Sequence, residues 1–145
     1  MIFVDTNVFF YARDDRMPEK QQQCIAWLGE LAARSRGRAN LQVVNEFTSI
    51  ALRRMPHLPA NDVFSMADSI AAWGSSALAM ETMRAARRLC ERNRYSWWDC
   101  LLLAAALELG CTHFLSEDLQ DGQRIESMTI VNPFAHRPED VLASS

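Results

Sequence analysis

The chain has 145 residues, 49% of them hydrophobic and 23% charged, the size and balance of one soluble globular domain. Its formal net charge of -3 argues against a protein that coats nucleic acid regardless of sequence, because such binding is driven by surplus Lys and Arg over phosphate. The longest apolar run, Cys100 to Leu107, is too short to cross a bilayer, and the start lacks a basic segment followed by a long apolar stretch, so a membrane protein is excluded and a cytoplasmic one expected.

The elements alternate. Ile2 to Val4 reads as a short apolar strand, and Asn7 to Tyr11 turns into a helix with Asp5 or Thr6 as its cap. Pro18 opens a helix whose stripe runs through Cys24, Ile25, Leu28, Leu31 and Ala32, closed by Gly37. Arg38 to Asn40 is a candidate second strand. From Leu41 to Met55 the apolar positions Val43, Val44, Phe47, Ile50 and Ala51 repeat with a helical period until Pro56 and Pro59 break it. Asn61 to Ala72 reads as a further helix, Ala77 to Met80 as a brief third strand, and Glu81 to Arg92 as an Arg-rich helix. Trp97 to Leu109 is apolar nearly all round, with Gly110 as its stop, and so predicts a helix buried on most sides. Cys111 to Leu115 and Met128 to Val131 are late strands joined by a polar loop, Ser116 to Gln123. Such alternation predicts an α/β domain with a parallel sheet covered on both faces. No repeat or flexible linker divides it.

In sheets of this kind ligands collect outside the carboxyl ends of the strands, and acids mark that rim. Asp5 ends the first strand. Asp118 lies just past the fourth predicted strand, with Ser116 between strand and acid. Glu46 sits at the edge of its helix stripe, and Asp99 lies one turn into the apolar helix, where a lone carboxylate is expensive. Each has a plain structural reading as well. Asp5 serves as an N-cap, Glu46 as a solvated helix acid, Asp99 as the far end of a capping box begun by Ser96, and Asp118 and Asp121 as turn formers. Four acids from four separated elements nevertheless map to one end of the sheet. Carboxylates crowded together repel unless cations neutralise them, and oxygen-only ligands favour Mg²⁺ or Mn²⁺. Such ions also hold substrate phosphate, which makes the cluster suited to phosphodiester chemistry.

Fourteen of the fifteen basic residues are Arg, Lys20 being the lone lysine. Arg53 with Arg54, and Arg84, Arg87 and Arg88 with Arg92 and Arg94, form helical clusters that read either as solvated faces or as a track for a nucleic-acid backbone. The cysteines Cys24, Cys90, Cys100 and Cys111 lack zinc or redox spacing and read as reduced core thiols. Trp97 and Trp98 read as core and interface anchors, with base stacking as the lesser alternative. A receiver domain would need a lysine near a late strand, and a haloacid-dehalogenase-type phosphatase a second Asp where Asn7 stands.

The segments VDTNVFFYA (4–12), LQVVNEF (41–47), YSWWDCLLLAAA (95–106), FLSEDLQDGQ (114–123) and VNPF (131–134) together resemble the PIN-domain ribonucleases, specifically VapC-like toxins of type II toxin–antitoxin operons. The resemblance spans residues 1–145 as a single PIN domain. It implies a three-layer α/β/α fold with a central five-stranded parallel sheet, a Mg²⁺- or Mn²⁺-dependent endoribonuclease, a homodimer and a cognate antitoxin. It maps the acidic quartet onto Asp5, Glu46, Asp99 and Asp118, with Asn7 and Ser116, and less securely Asp121, in support. On this reading Asp5, Asp99 and Asp118 hold metal, Glu46 ligates metal or takes the proton of the attacking water, and Arg53, Arg84, Arg87 and Arg88 meet the RNA. The alternative is a PIN-like protein that binds RNA or a partner without cutting.

Overall fold

The computed structural model describes residues 1–143. The chain runs β1 (Ile2–Val4), α1 (Thr6–Tyr11), α2 (Pro18–Ala33), β2 (Gly37–Arg38), α3 (Leu41–Arg54), α4 (Ala60–Ala71), α5 (Met80–Arg92), α6 (Trp97–Glu108), β3 (His113–Leu115), β4 (Arg124–Ile125), β5 (Met128–Val131) and α7 (Pro138–Leu142). The five strands lie in the order β2-β1-β3-β5-β4. All three residues of β1 are buried, as are Phe114 and Leu115 of β3 and Ile130 and Val131 of β5. Successive strand residues point to opposite faces, so burial at consecutive positions means that both faces of the sheet are covered.

Two expectations change here. The sheet is not wholly parallel: β1 pairs in parallel with β2 and β3, and β3 with β5, but the edge strand β4 runs antiparallel to β5. A two-residue hairpin loop, Glu126 and Ser127, joins those last strands, with Glu126 at φ 55°. Left-handed turns of this type usually advertise themselves by Asn or Gly, which is why Arg124–Ile125 passed for loop. Ala77 to Met80 forms no strand. All four residues are exposed, so they lack the buried face that makes a sheet strand stable. The preceding segment only brushes the link between β2 and α3, through Ala39 N–H to the Trp73 carbonyl (3.2 Å) and Leu41 N–H to the Ser76 carbonyl (3.1 Å). Gly74 permits that approach: at its φ of 149° a Cβ would lie 2.3 Å from the Ala39 carbonyl oxygen. Asp118 therefore follows the third strand in chain order, not the fourth.

The helices form where their caps and stripes put them. Asn40 caps α3, accepting from the Val43 N–H at 3.1 Å, and so ends the β2 segment two residues earlier than its polarity suggests. Val43, Phe47 and Ala51 are the buried stripe of α3. In α6 every residue from Cys100 to Ala106 is buried, consistent with its apolar circumference. Trp97 and Trp98 belong to the first turn, before that buried stretch. They are not core anchors, Trp98 being 62% exposed. Cys24, Cys100 and Cys111 are buried, and all four cysteines are free thiols. No helix among the described residues is long and apolar enough to cross a membrane.

The neighbours β1 and β3 set up the rim. Phe3 and Phe114 stand opposite in register, and their rings stack at 5.4 Å with an interplanar angle of 10°, an arrangement that contributes about 0.5–1.5 kcal/mol beyond simple burial. Asp5 N–H continues the ladder to the Leu115 carbonyl at 3.0 Å. The strand order turns around at β1, which is flanked by β2 on one side and β3 on the other, so the crevice expected of such a reversal opens just beyond Val4 and Leu115.

Candidate active site

Asp5 and Ser116 are the first residues beyond these paired strands. Ser116 is fully buried, and its hydroxyl donates to Asp5 Oδ2 at 2.7 Å. Asp5 Oδ1 accepts from the Thr6 N–H, also at 2.7 Å, so Asp5 is the N-cap of α1 as well as a member of the rim. The plain reading of this residue as a cap holds, and the cap role leaves its second oxygen at the rim. Asn7 ties the cluster from above. Its amide nitrogen lies 3.2 Å from Asp5 Oδ2, 3.1 Å from Ser116 Oγ and 3.2 Å from Asp118 Oδ2, while its carbonyl oxygen accepts from the Glu117 N–H at 3.3 Å. Asp118 N–H in turn donates to Ser116 Oγ at 3.1 Å.

Glu46 reaches the same place from α3. Thr6 donates its hydroxyl to Glu46 Oε2 at 2.9 Å, and Gln42, one turn earlier on the helix, donates to Oε1 at 2.9 Å. Gln42 also donates to the Trp98 carbonyl at 3.0 Å, binding α3 to the start of α6. Thr6 and Gln42 were not among the expected site residues. The signal for Thr6 was its place inside the opening polar triplet; that for Gln42 was its position four residues before Glu46, on the same helix face. Asp99 enters from the first turn of α6, where its N–H donates to the Ser96 hydroxyl at 3.1 Å, as the predicted capping box requires.

These side chains line one cleft of about 210 Å³, walled by Asp5, Thr6, Asn7, Glu46, Asp99 and Asp118 and closed by Phe10, Tyr11, Ile50 and Arg54. All four quartet acids are there. None of the four forms an ion pair with Lys, Arg or His among the described residues. Burial pushes the Asp5 carboxyl up to about 7; the bonds from Ser116 and Thr6 oppose that rise, and the charges of Asp99 and Glu46 add to it. Burial raises Asp99 too, against its bonds to Ser96 and with help from Asp118.

Other expected residues fall elsewhere. Asp121 does not line the cleft: it accepts from the Asn132 N–H at 2.9 Å and pairs with His136 at 2.8 Å, a brace between the loop after β3 and the chain after β5. Arg84, Arg87 and Arg88 are exposed on α5, with Arg84 paired to Glu81 at 2.7 Å, and Arg53 lines a neighbouring groove. The cation in the wall of the acid cleft is Arg54, held with its guanidinium 5.1 Å from the centre of the Phe10 ring. The lone lysine, Lys20, pairs with Glu117 and lies over Tyr11 at 4.7 Å and Phe134 at 5.0 Å.

The donor chemistry fits a hard divalent cation, because every candidate ligand is an oxygen and, among the described residues, none of the four acids is paired with a cation. Among the described residues no three carboxylate, imidazole or thiol groups close on a single point. The fit is therefore to an ion that keeps several waters and takes one or two carboxylates, which is the habit of Mg²⁺.

No curated protein matches the chain by sequence. Its fold is similar to that of a toxin–antitoxin complex chain from Klebsiella pneumoniae (TM-score 0.65, 13% identity, covering 92% of this chain and 98% of that one). It is also similar to VapBC2 from Rickettsia felis, solved bound to a DNA fragment from their promoter (0.63, 14%, 90% and 97%). A third likeness is to VapC20 from Mycobacterium tuberculosis, a sarcin-ricin loop cleaving toxin (0.58, 17%, 79% and 87%). The PIN domain profile matches residues 2–121, which takes in all four cleft acids; β5, inserted between β3 and β4, completes the sheet beyond it. On that match, with the reversal of strand order setting the acids at one rim, the chain belongs to the PIN domain family.

Proposed function

We propose that the protein is a metal-dependent endoribonuclease and the toxin of a toxin–antitoxin pair. The observation that carries this reading is the convergence of Asp5, Glu46, Asp99 and Asp118 on one cleft at the end of β1 and β3. The similar folds from Klebsiella pneumoniae, Rickettsia felis and Mycobacterium tuberculosis support the toxin assignment. On this reading Asp5 and Asp99 would hold Mg²⁺ or Mn²⁺ directly, and Asp118 would complete the site or hold water bound to the ion. The ion supplies Lewis acidity and neutralises phosphate charge when bound.

The chain's own residues do the rest. Ser116, Thr6 and Asn7 fix the carboxylates by hydrogen bonds, so that their negative oxygens face the cleft without rearrangement. Glu46, held at both oxygens by Thr6 and Gln42, accepts the proton of the attacking water as its oxygen bonds to phosphorus. The bond from phosphorus to the leaving ribose oxygen breaks on the opposite side, and that oxygen takes up a proton from solvent water to leave as a hydroxyl. Arg54 offers a cation at the rim for the substrate phosphate. The protein works in the cytoplasm, where its RNA lies, as a homodimer held in check by a cognate antitoxin.

The test is incubation of the purified protein with cellular RNA in Mg²⁺ or Mn²⁺. Defined new RNA ends that disappear on adding EDTA are expected. Tight RNA binding with no chelator-sensitive cleavage would overturn the enzyme in favour of a non-cutting RNA binder.

A further inference from the structure

Beside the acid cleft lies a second, larger hollow of about 860 Å³, and Glu46 is a wall of both. Its floor is apolar, made by Leu41, Leu78 and Leu101, and Trp98 stands in it. Trp98 immediately precedes Asp99 and is 62% exposed. Leu41, Leu78 and Trp98 are all exposed and share this hollow, and a contiguous exposed apolar patch rimmed by polar residues marks a binding surface. Its backbone is not loose: the Trp98 carbonyl accepts from Gln42, the same amide that holds Glu46. Gln42, Asn45 and Arg53 place hydrogen-bonding groups and a cation around the apolar floor.

We infer that this hollow is a nucleobase subsite, in which the base next to the scissile phosphate stacks on Trp98. The inference rests on the nuclease reading above and extends it to substrate recognition. A phosphodiester seated against Glu46 and Asp99 carries an attached nucleoside on each side, and the hollow sharing the Glu46 wall is next in line. Stacking on an aromatic face is how single-stranded RNA is gripped without base pairing. The polar rim favours this occupant over a protein segment, since a flat ring with polar edges needs an apolar floor together with peripheral donors and acceptors. Trp98 is thus a substrate-positioning residue. The shared Gln42 amide links the subsite to Glu46.

The test is a double-mutant cycle on RNA binding. A fluorescein-labelled, unstructured oligoribonucleotide of mixed sequence, and the same chain with an abasic nucleotide at each position in turn, are titrated by anisotropy in EDTA and again with Ca²⁺. Trp98→Ala is expected to weaken binding roughly 5- to 150-fold, the range of one stacked base, while Trp98→Phe retains most of the affinity and Trp97→Ala behaves as wild type. Wild type should lose a similar factor to an abasic nucleotide at one position, and Trp98→Ala should lose nothing further there. The inference is overturned if Trp98→Ala binds as wild type does, or if the abasic penalty persists undiminished in it. A fall in mass by light scattering with the abasic penalty intact would assign the hollow to a second copy of the chain, which also overturns it. Because binding is read without turnover, stacking can stand where cleavage fails, and cleavage can stand where stacking fails.

Discussion

At the scale of single residues, Asp5 is the clearest case of a group whose cost to the fold is expected to be the source of its use. Burial pushes its carboxyl up to about 7, and among the described residues no cation is paired with it. Asp5→Asn keeps an N-cap for α1 and removes one of the crowded charges. It is expected to abolish RNA cleavage while the protein in EDTA melts at the same or a higher temperature; Asp99→Asn should do likewise. If either change unfolds the protein while the other acids tolerate substitution, the quartet is structural. Ser116→Ala acts in the opposite sense. It strips a buried carboxylate oxygen of its 2.7 Å donor, and a loss of about 1–3 kcal/mol is expected in urea denaturation. Asp5 and Asp99 could be picked out of the sequence because charge inside apolar patterns is conspicuous, and Asp118 because it follows a strand end. Thr6 and Gln42 left only a weak signal of position, because a hydroxyl or an amide reveals its partner when distant segments meet.

Among the elements, legibility followed length. The long helices α2, α3 and α6 stand within a few residues of where periodicity, Pro and Gly set them. The two-residue strand β4 carries no pattern of its own and the apolar run Ala77–Met80 imitates a strand, since such short pieces are decided by what lies beside them and not by their own pattern. The antiparallel edge strand β4 is illegible for the same reason: Glu126 and Ser127 lack the residues that usually mark a hairpin, so nothing in the sequence sets β4 against β5. The caps were easier. Ser96 opens α6 as expected, and Ser96→Ala should cost about 1 kcal/mol (range 0.5–2) in chemical denaturation. It should also loosen Asp99, so a drop in cleavage larger than the stability loss accounts for would mark the cap as part of the site's support.

For the molecule as a whole, acid sensitivity has an identifiable contributor away from the cleft. Asp14 is buried in the link between α1 and α2, and the hydrogen bonds from Arg16 (2.8 and 3.1 Å) hold its carboxyl below the usual carboxylate range, against the opposing effect of burial. A lowered folded-state value means stability that is present above the unfolded-state value of about 4 and is lost as pH falls through the folded one. Thermal melts of wild type and Asp14→Asn should therefore differ by a constant amount near neutrality and converge in acid below about pH 4. Divergence on acidification would contradict the assignment. Cys24 and Cys100 add no titration in that range, because burial pushes both thiols up to about 12.

The bond between Ser116 and Asp5 joins residues 111 apart in sequence, and β3 itself is flanked by a strand that is made later still. A growing polypeptide thus holds Asp5 long before it holds the serine beneath it, and the rim is assembled only after β3 and β5 have both been made. On the proposed nuclease reading, a product cut short before residue 116 should be inert.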